Sequence, residues 1–173
     1  MSIKNLYAQA MEYLYIACIG ISGLVMLIMT CIIPYGVFMR YVMNSPASWP
    51  EPAGILLMVL FSFLGGAAAY RAKAHIAVTT LLNVMSDANR ARTERVAEIG
   101  MGIIALFMIK WGVLLVQATW QNSIAEFPDL SVGVTYIPIP VAGVVTLLFV
   151  IERLWCGDPP ATSITFRDQP QSE

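Results

Sequence analysis

The chain has 173 residues, of which 58% are hydrophobic and 12% are charged, and its formal net charge is −1. Soluble domains carry about 25% charged residues, so this composition excludes an ordinary soluble protein, and the sequence has no basic stripe with interleaved aromatics to bind nucleic acid. Three long intervals contain no charged residue: those between Glu12 and Arg40, between Glu51 and Arg71, and between Asp129 and Glu152. Each interval can supply one membrane-crossing helix of about 20 residues.

The N-terminal segment, residues 2–12, has apolar residues at helical spacing, which is typical of a short helix lying in the membrane interface. The alternative is that this segment simply extends the first membrane helix, which is predicted at residues 13–37. A straight helix from Ile3 to Met39 would be roughly 55 Å long, against an apolar core of about 30 Å. We therefore expect a bend after the interfacial segment, and we expect Pro34 to kink or end the membrane helix.

The second predicted membrane helix, residues 53–70, ends in a block of small residues. Helices in lipid associate by close packing, so small residues indicate a contact face, although glycine is also simply commoner in membrane helices. We predict that Gly65, Gly66 and Ala69 form such a face. The segment 74–98 is too charged to cross a membrane, and its pattern predicts a second interfacial helix.

The third predicted crossing, residues 98–120, contains Lys110. A lysine near mid-bilayer is costly unless it contacts a polar protein group or extends its stem toward an interface, and both alternatives stay open. The fourth crossing is predicted at residues 136–154. The fold class is therefore an all-α integral membrane protein, with a single four-helix membrane domain at residues 1–156 and a disordered tail at 157–173.

The basic residues predict the orientation of the chain. If both termini lie on one side of the membrane, the opposite side holds only Arg40, with Lys110 inside the membrane. The first side then holds the other eight basic residues, which are Lys4, Arg71, Lys73, Arg90, Arg92, Arg95, Arg153 and Arg167. The positive-inside rule places both termini in the cytoplasm.

The sequence has no pattern of an enzyme active site. Its three cysteines form no C-x-x-C pair, and its one histidine, His75, cannot supply the two axial ligands of a haem-anchoring subunit. A self-sufficient transporter would carry polar groups along broken helices at mid-membrane, where only Lys110 is expected. We therefore predict a non-enzymatic subunit of a larger complex, without cofactor or metal.

Two stretches carry a family resemblance. The segment RYVMNSPASWPE from Arg40 to Glu51 resembles the outer loop of the small membrane subunits of tripartite ATP-independent periplasmic (TRAP) transporters, which reads R-Y-x-x-N, a spacer, then W-x-E-E. The segment GGAAAYRAKAHIAV from Gly65 to Val78 resembles that family's exit from the second helix. Two positions depart from the pattern, because Pro52 replaces the second glutamate and Thr79 replaces an acidic residue.

The resemblance implies a small scaffold subunit of a sodium-coupled transporter of the bacterial inner membrane, which imports an organic acid such as a C4-dicarboxylate or sialic acid. Its implied partners are a large elevator-type membrane subunit, a periplasmic substrate-binding protein that it helps to dock, and membrane lipid, but no nucleic acid. The alternative interpretation is a four-helix anchor subunit of another membrane complex, such as a redox enzyme.

The two stretches also suggest sites. Arg40 and Glu51 face each other across a short outer loop and can form an ion pair beside Trp49, and we predict that these three residues contact a partner or stabilise the loop. Arg71 and His75 follow the second helix, where positive groups complement the helix C-terminus and anionic headgroups. The alternative is that these side chains only anchor the chain at the membrane interfaces.

Overall fold

The structure is a computed structural model that describes residues 3–72 and 87–157, the side chains of residues 87–91 excepted. Within these ranges, four helices are long and apolar enough to cross a membrane. The elements in chain order are α1 (Ile3–Tyr41), α2 (Pro50–Arg71), α3 (Asp87–Thr119), β1 (Ser123–Ile124), β2 (Phe127–Ser131), α4 (Val132–Tyr136) and α5 (Pro138–Cys156). His75, the expected interfacial helix before Asp87, and the tail from residue 158 lie outside the described residues.

Helix α1 is one uninterrupted helix of 39 residues. The two segments that we expected to be separated by a bend are therefore continuous, and Pro34 lies inside the helix without ending it. The reason is visible in the first turns, where the Tyr7 hydroxyl donates a hydrogen bond of 3.0 Å to the Leu148 carbonyl and Met11 is buried. These turns pack against the other helices, and a helix of about 58 Å extends beyond the apolar core or crosses it with a tilt.

Prolines mark the start of two of the long helices. Pro50 and Pro52 lie in the first turn of α2, and Pro138 and Pro140 lie in the first turn of α5. The first N–H groups of a helix have no partner within the helix, so a proline there costs no hydrogen bond. As a result, α2 begins three residues before its expected start.

The segment between α3 and α5 contains structure that the sequence analysis did not predict. Strands β1 and β2 pair antiparallel as a short hairpin. The Ser131 hydroxyl then accepts a hydrogen bond of 3.0 Å from the Gly133 amide and caps α4, which leads into α5. The segment between the predicted third and fourth crossings is therefore a folded connection.

The helices pack in pairs, with α1 against α2, α3 against α5, and α2 against α5. The apolar core lies toward the end of the bundle where α1 begins and where α2 and α5 end, which we call the terminal side. Its buried members are Met11, Tyr15, Cys18, Ala67, Ala68, Tyr70, Val145, Phe149 and Val150. The opposite end, with the loop between α1 and α2 and the hairpin, is the loop side.

Two glycines allow α3 and α5 to approach closely. A Cβ added at Gly112 would lie 2.8 Å from Cδ of Pro140, and a Cβ added at Gly143 would lie 3.1 Å from the Ala105 carbonyl oxygen. Membrane helices gain little from apolar burial against each other, so such backbone proximity carries much of their packing energy.

The small-residue block of α2 contacts its neighbours through only some of its members. Ala67 and Ala68 are buried, Ala69 is half-buried, and a Cβ at Gly65 would lie 3.6 Å from the Ser22 hydroxyl. Gly66 is exposed, and no described residue lies close to it. That Gly66 belongs to a helix contact face stays a prediction.

We expect the variants Gly112→Ala and Gly143→Ala to lower the stability of the purified chain in detergent by about 1–3 kcal/mol each. The added methyl group would clash with the neighbouring backbone or proline ring, and these cannot move without distorting the helices. Gly66→Ala is the matched control and should leave stability unchanged or raise it, since alanine favours a helix. The measurement is the midpoint temperature at which the buried Cys18 thiol reacts with a fluorogenic maleimide, in a background without the other two cysteines. Equal midpoints for all three variants would contradict the close α3–α5 contact.

Candidate functional site

A buried arginine joins three of the membrane helices on the terminal side. The Arg71 side chain, at the end of α2, is 2% exposed. Its Nε and Nη2 donate hydrogen bonds of 2.8 Å each to the two carboxylate oxygens of Glu152 on α5, and its Nη1 donates one of 2.8 Å to Glu12 on α1. The first pair of bonds is the bidentate arrangement in which a guanidinium and a carboxylate interact most strongly.

Aromatic rings surround the same guanidinium. Its central carbon lies 5.1 Å from the ring centroid of Tyr15 and 5.5 Å from that of Phe149. Ring faces attract a cation and exclude water from it. The charge of Arg71 is therefore compensated by carboxylates at its edge and by rings at its faces.

A second ion pair adds the fourth helix. Arg153 on α5 donates a hydrogen bond of 2.6 Å to Glu98 on α3, and the Tyr70 hydroxyl of α2 donates to the other oxygen of Glu98. The Arg153 guanidinium also lies 5.0 Å from the Tyr70 ring centroid. We call the residues of both pairs the terminal ion cluster, which consists of Glu12, Tyr70, Arg71, Glu98, Glu152 and Arg153.

The terminal ion cluster links all four long helices at one depth of the bundle. It contains two cations and three carboxylates, and both acceptor oxygens of Glu152 and of Glu98 are engaged by groups of the chain itself. Among the described residues, no group of three or more His, Cys, Asp or Glu residues could hold a metal ion. The arrangement is suited to fixing helices rather than to chemistry on a substrate.

On the loop side, the structure brings Arg40 and Glu51 together, with 2.9 Å between Nη2 and Oε1. Both side chains are largely exposed, at 47% and 71%. The loop between them turns at Asn44, whose φ of 51° is a left-handed conformation that asparagine tolerates better than most residues. A mainly apolar groove of about 410 Å³ lies between α1 and α2 beside this pair.

Trp49 lies next to this pair but contacts a different side chain. Its ring packs on Tyr35 of α1, with 5.7 Å between the ring centroids. The indole is 39% exposed, so one part of it is available to the surroundings. The three loop-side residues suggested by the sequence are thus all exposed, with Arg40 paired to Glu51 and Trp49 packed on Tyr35.

Lys110 belongs to neither group. It is exposed on α3, and its Nζ lies 5.6 Å from the ring centroid of its neighbour Trp111. Within residues 3–72 and 87–157, the ion pairs found do not include it. In the described part of the structure, Lys110 therefore has no ion-pair partner within this chain.

The sequence analysis named Arg71 but missed its partners and the second pair. A signal was present, since Glu12, Glu98 and Glu152 stand at the ends of apolar runs that the predicted topology brings to the same side. We counted the arginines there for orientation and did not match them with these carboxylates.

Four long helices, each apolar enough to cross a membrane, define a multi-pass integral membrane protein. The family model for the DctQ component of tripartite ATP-independent periplasmic transporters matches residues 29–158 of the chain. The chain therefore belongs to this family, whose members are transporter components and not enzymes. It is also 28% identical over 153 residues to a protein of Haemophilus influenzae named as a TRAP transporter small permease protein, covering 88% of this chain and 90% of that one.

We expect Arg71→Met to destabilise the chain by about 3–5 kcal/mol, because it leaves the buried Glu152 carboxylate without its main partner. The matched variant Arg40→Met removes an exposed partner and should cost about 0–1 kcal/mol. The stability of both variants is measured in detergent as the midpoint temperature at which the buried Cys18 thiol reacts with the maleimide. A loss for Arg71→Met no larger than that for Arg40→Met would contradict the structural role of the terminal ion cluster.

Proposed function

We propose that this TRAP small permease subunit is the static scaffold of a sodium-coupled, binding-protein-dependent transporter that imports an organic acid across the bacterial inner membrane. In this proposal, the large membrane subunit moves the substrate by an elevator motion. The present chain supports that subunit and helps to dock the periplasmic binding protein, and it has both termini in the cytoplasm.

The observation that carries the proposal is the terminal ion cluster. A helix bundle whose four long helices are joined through buried charges resists sliding, because any shift of one helix would separate a buried cation from its carboxylate. A scaffold for a moving partner needs this property. A subunit that itself moved substrate would instead need helices free to change their contacts.

The distribution of polar groups also favours a scaffold role for this chain. Between the terminal ion cluster and the Arg40–Glu51 pair, the only charged residue in the long helices is Lys110, which does not face the bundle interior. Transporters that bind substrate place polar groups and broken helices near mid-membrane. The substrate and sodium sites are therefore assigned to the large subunit in this proposal.

The exposed surface on the loop side is the proposed docking region for a partner. It consists of the exposed Arg40–Glu51 pair and the exposed part of Trp49. By the positive-inside rule, this surface faces the periplasm, where the binding protein delivers its substrate.

We expect the purified chain alone, reconstituted in liposomes with a sodium gradient, to take up no radiolabelled C4-dicarboxylate or sialic acid. Uptake of the transported acid should require the large subunit, the binding protein and this chain together. Omitting each component in turn is the control. Sodium-driven uptake by this chain alone, or full uptake without it, would contradict the proposal.

A separate experiment tests the loop-side surface. Replacing Arg40, Trp49 or Glu51 by alanine should lower uptake or recovery of the complex while membrane insertion stays normal, because each removes part of the proposed docking surface. Leu154→Ala, at an exposed apolar position of α5 on the terminal side, is the control and should leave both quantities unchanged. Normal uptake and recovery for all three variants would leave these residues only an anchoring role at the membrane interface.

A further inference from the structure

Lys110 points away from the helix bundle. Helix α3 packs on α5 through Ala105 and Gly112, which are both buried. At 3.6 residues per turn, Lys110 lies about 160° around the helix from Gly112 and about 140° from Ala105. It therefore stands nearly opposite the packed side of α3.

The same residue lies midway along the apolar part of α3, between Gly100 and Thr119. At 1.5 Å per residue, Lys110 is about 15 Å along the helix from Gly100 and about 14 Å from Thr119. These distances exceed the length of a lysine stem, so extension toward an interface does not bring the ammonium fully into water. The Trp111 ring, 5.6 Å from Nζ, offers an attractive face but no hydrogen-bond acceptor atom.

The surroundings of Lys110 on α3 are large apolar side chains that this chain leaves uncovered. Ile103 is 63% exposed, Phe107 is 61% exposed and Leu114 is 45% exposed, and all three lie within about 60° of Lys110 around the helix. In the most apolar window of α3, only 11% of residues are buried inside the chain, the lowest share among the four long helices. We call Ile103, Phe107, Lys110 and Leu114 the Lys110 face.

We propose that the Lys110 face is the surface that receives a membrane helix of the large TRAP subunit, and that this helix presents a carboxylate to Lys110 at mid-membrane. The inference rests on the proposed function for the identity of the partner. The argument is charge complementarity, because an ammonium at this depth is costly unless an acidic or strongly polar protein group meets it.

Other occupants of this face fit the chemistry less well. Lipid chains would cover the apolar side chains but offer the ammonium no acceptor. A second copy of this chain has no carboxylate at mid-depth, since its membrane-helix carboxylates lie in the terminal ion cluster, on its terminal side or at Glu51. A symmetric dimer through this face would also bring two lysines together, and like charges repel each other strongly there.

The first test compares how tightly variants of the tagged chain bind the co-expressed large subunit in detergent. Lys110→Met removes the charge at nearly constant length and should weaken association about tenfold, as expected for one polar contact between membrane helices. Lys110→Arg keeps the charge and should retain most of the association. Ile104→Met, at an exposed apolar position about 9 Å along α3 from Lys110 and about 120° around it, is the control and should bind as the unmodified chain does.

The second test places a photo-crosslinking phenylalanine analogue in α3 within intact membranes. Crosslinks to the large subunit are expected from positions 107 and 114 and not from position 104. Equal association of Lys110→Met and the unmodified chain would overturn the inference, as would crosslinks from 107 and 114 that reach only lipid or a second copy. Failure of the unmodified chain to bind the large subunit at all would instead contradict the proposed function.

Discussion

The guanidinium of Arg71 is the group on which the arrangement of the helices depends. A charge that is 98% shielded from solvent is tolerated only when hydrogen bonds and opposite charges replace its water. Glu152 and Glu12 supply these from two different helices, and the planar fork of arginine lets one residue bond both at 2.8 Å. The positive charge of Arg71 and the negative charges of Glu12 and Glu152 compensate each other only while all three side chains stay in contact. The depth and rotation of α1, α2 and α5 are therefore coupled through Arg71.

Pairs of consecutive residues extend this coupling to α3. Neighbouring residues on a helix point about 100° apart, so Tyr70 and Arg71 on α2 reach different neighbours, as do Glu152 and Arg153 on α5. In this way Glu98 of α3 is held from two sides. On the loop side, the ion pair found between α1 and α2 is exposed and contributes little. The buried ion pairs among the described residues thus lie at one end of the bundle, while outward faces such as that of α3 present exposed apolar side chains.

Much of what the structure added concerns which way a helix faces. The pattern of residues 2–12 fitted a helix on the membrane surface and equally a helix packed on the bundle, because both need one apolar side. In the same way, the small block on α2 indicated a contact but not its direction, and Ala67 and Ala68 are buried where Gly66 is exposed. The outward direction of Lys110 could not be read from the sequence either, since a single polar residue does not reveal what lies beside it.

Hydropathy and length are local properties, so the sequence by itself determined that the chain crosses a membrane with four helices. It also indicated the Arg40–Glu51 pair, because a short loop must bring the ends of two adjacent helices together. The partners of Arg71 are 59 and 81 residues away along the chain, at Glu12 and Glu152. Only the tertiary structure decided that pairing, because it depends on the order in which the helices pack and on the rotation of each about its axis, and neither is encoded in any one stretch of residues.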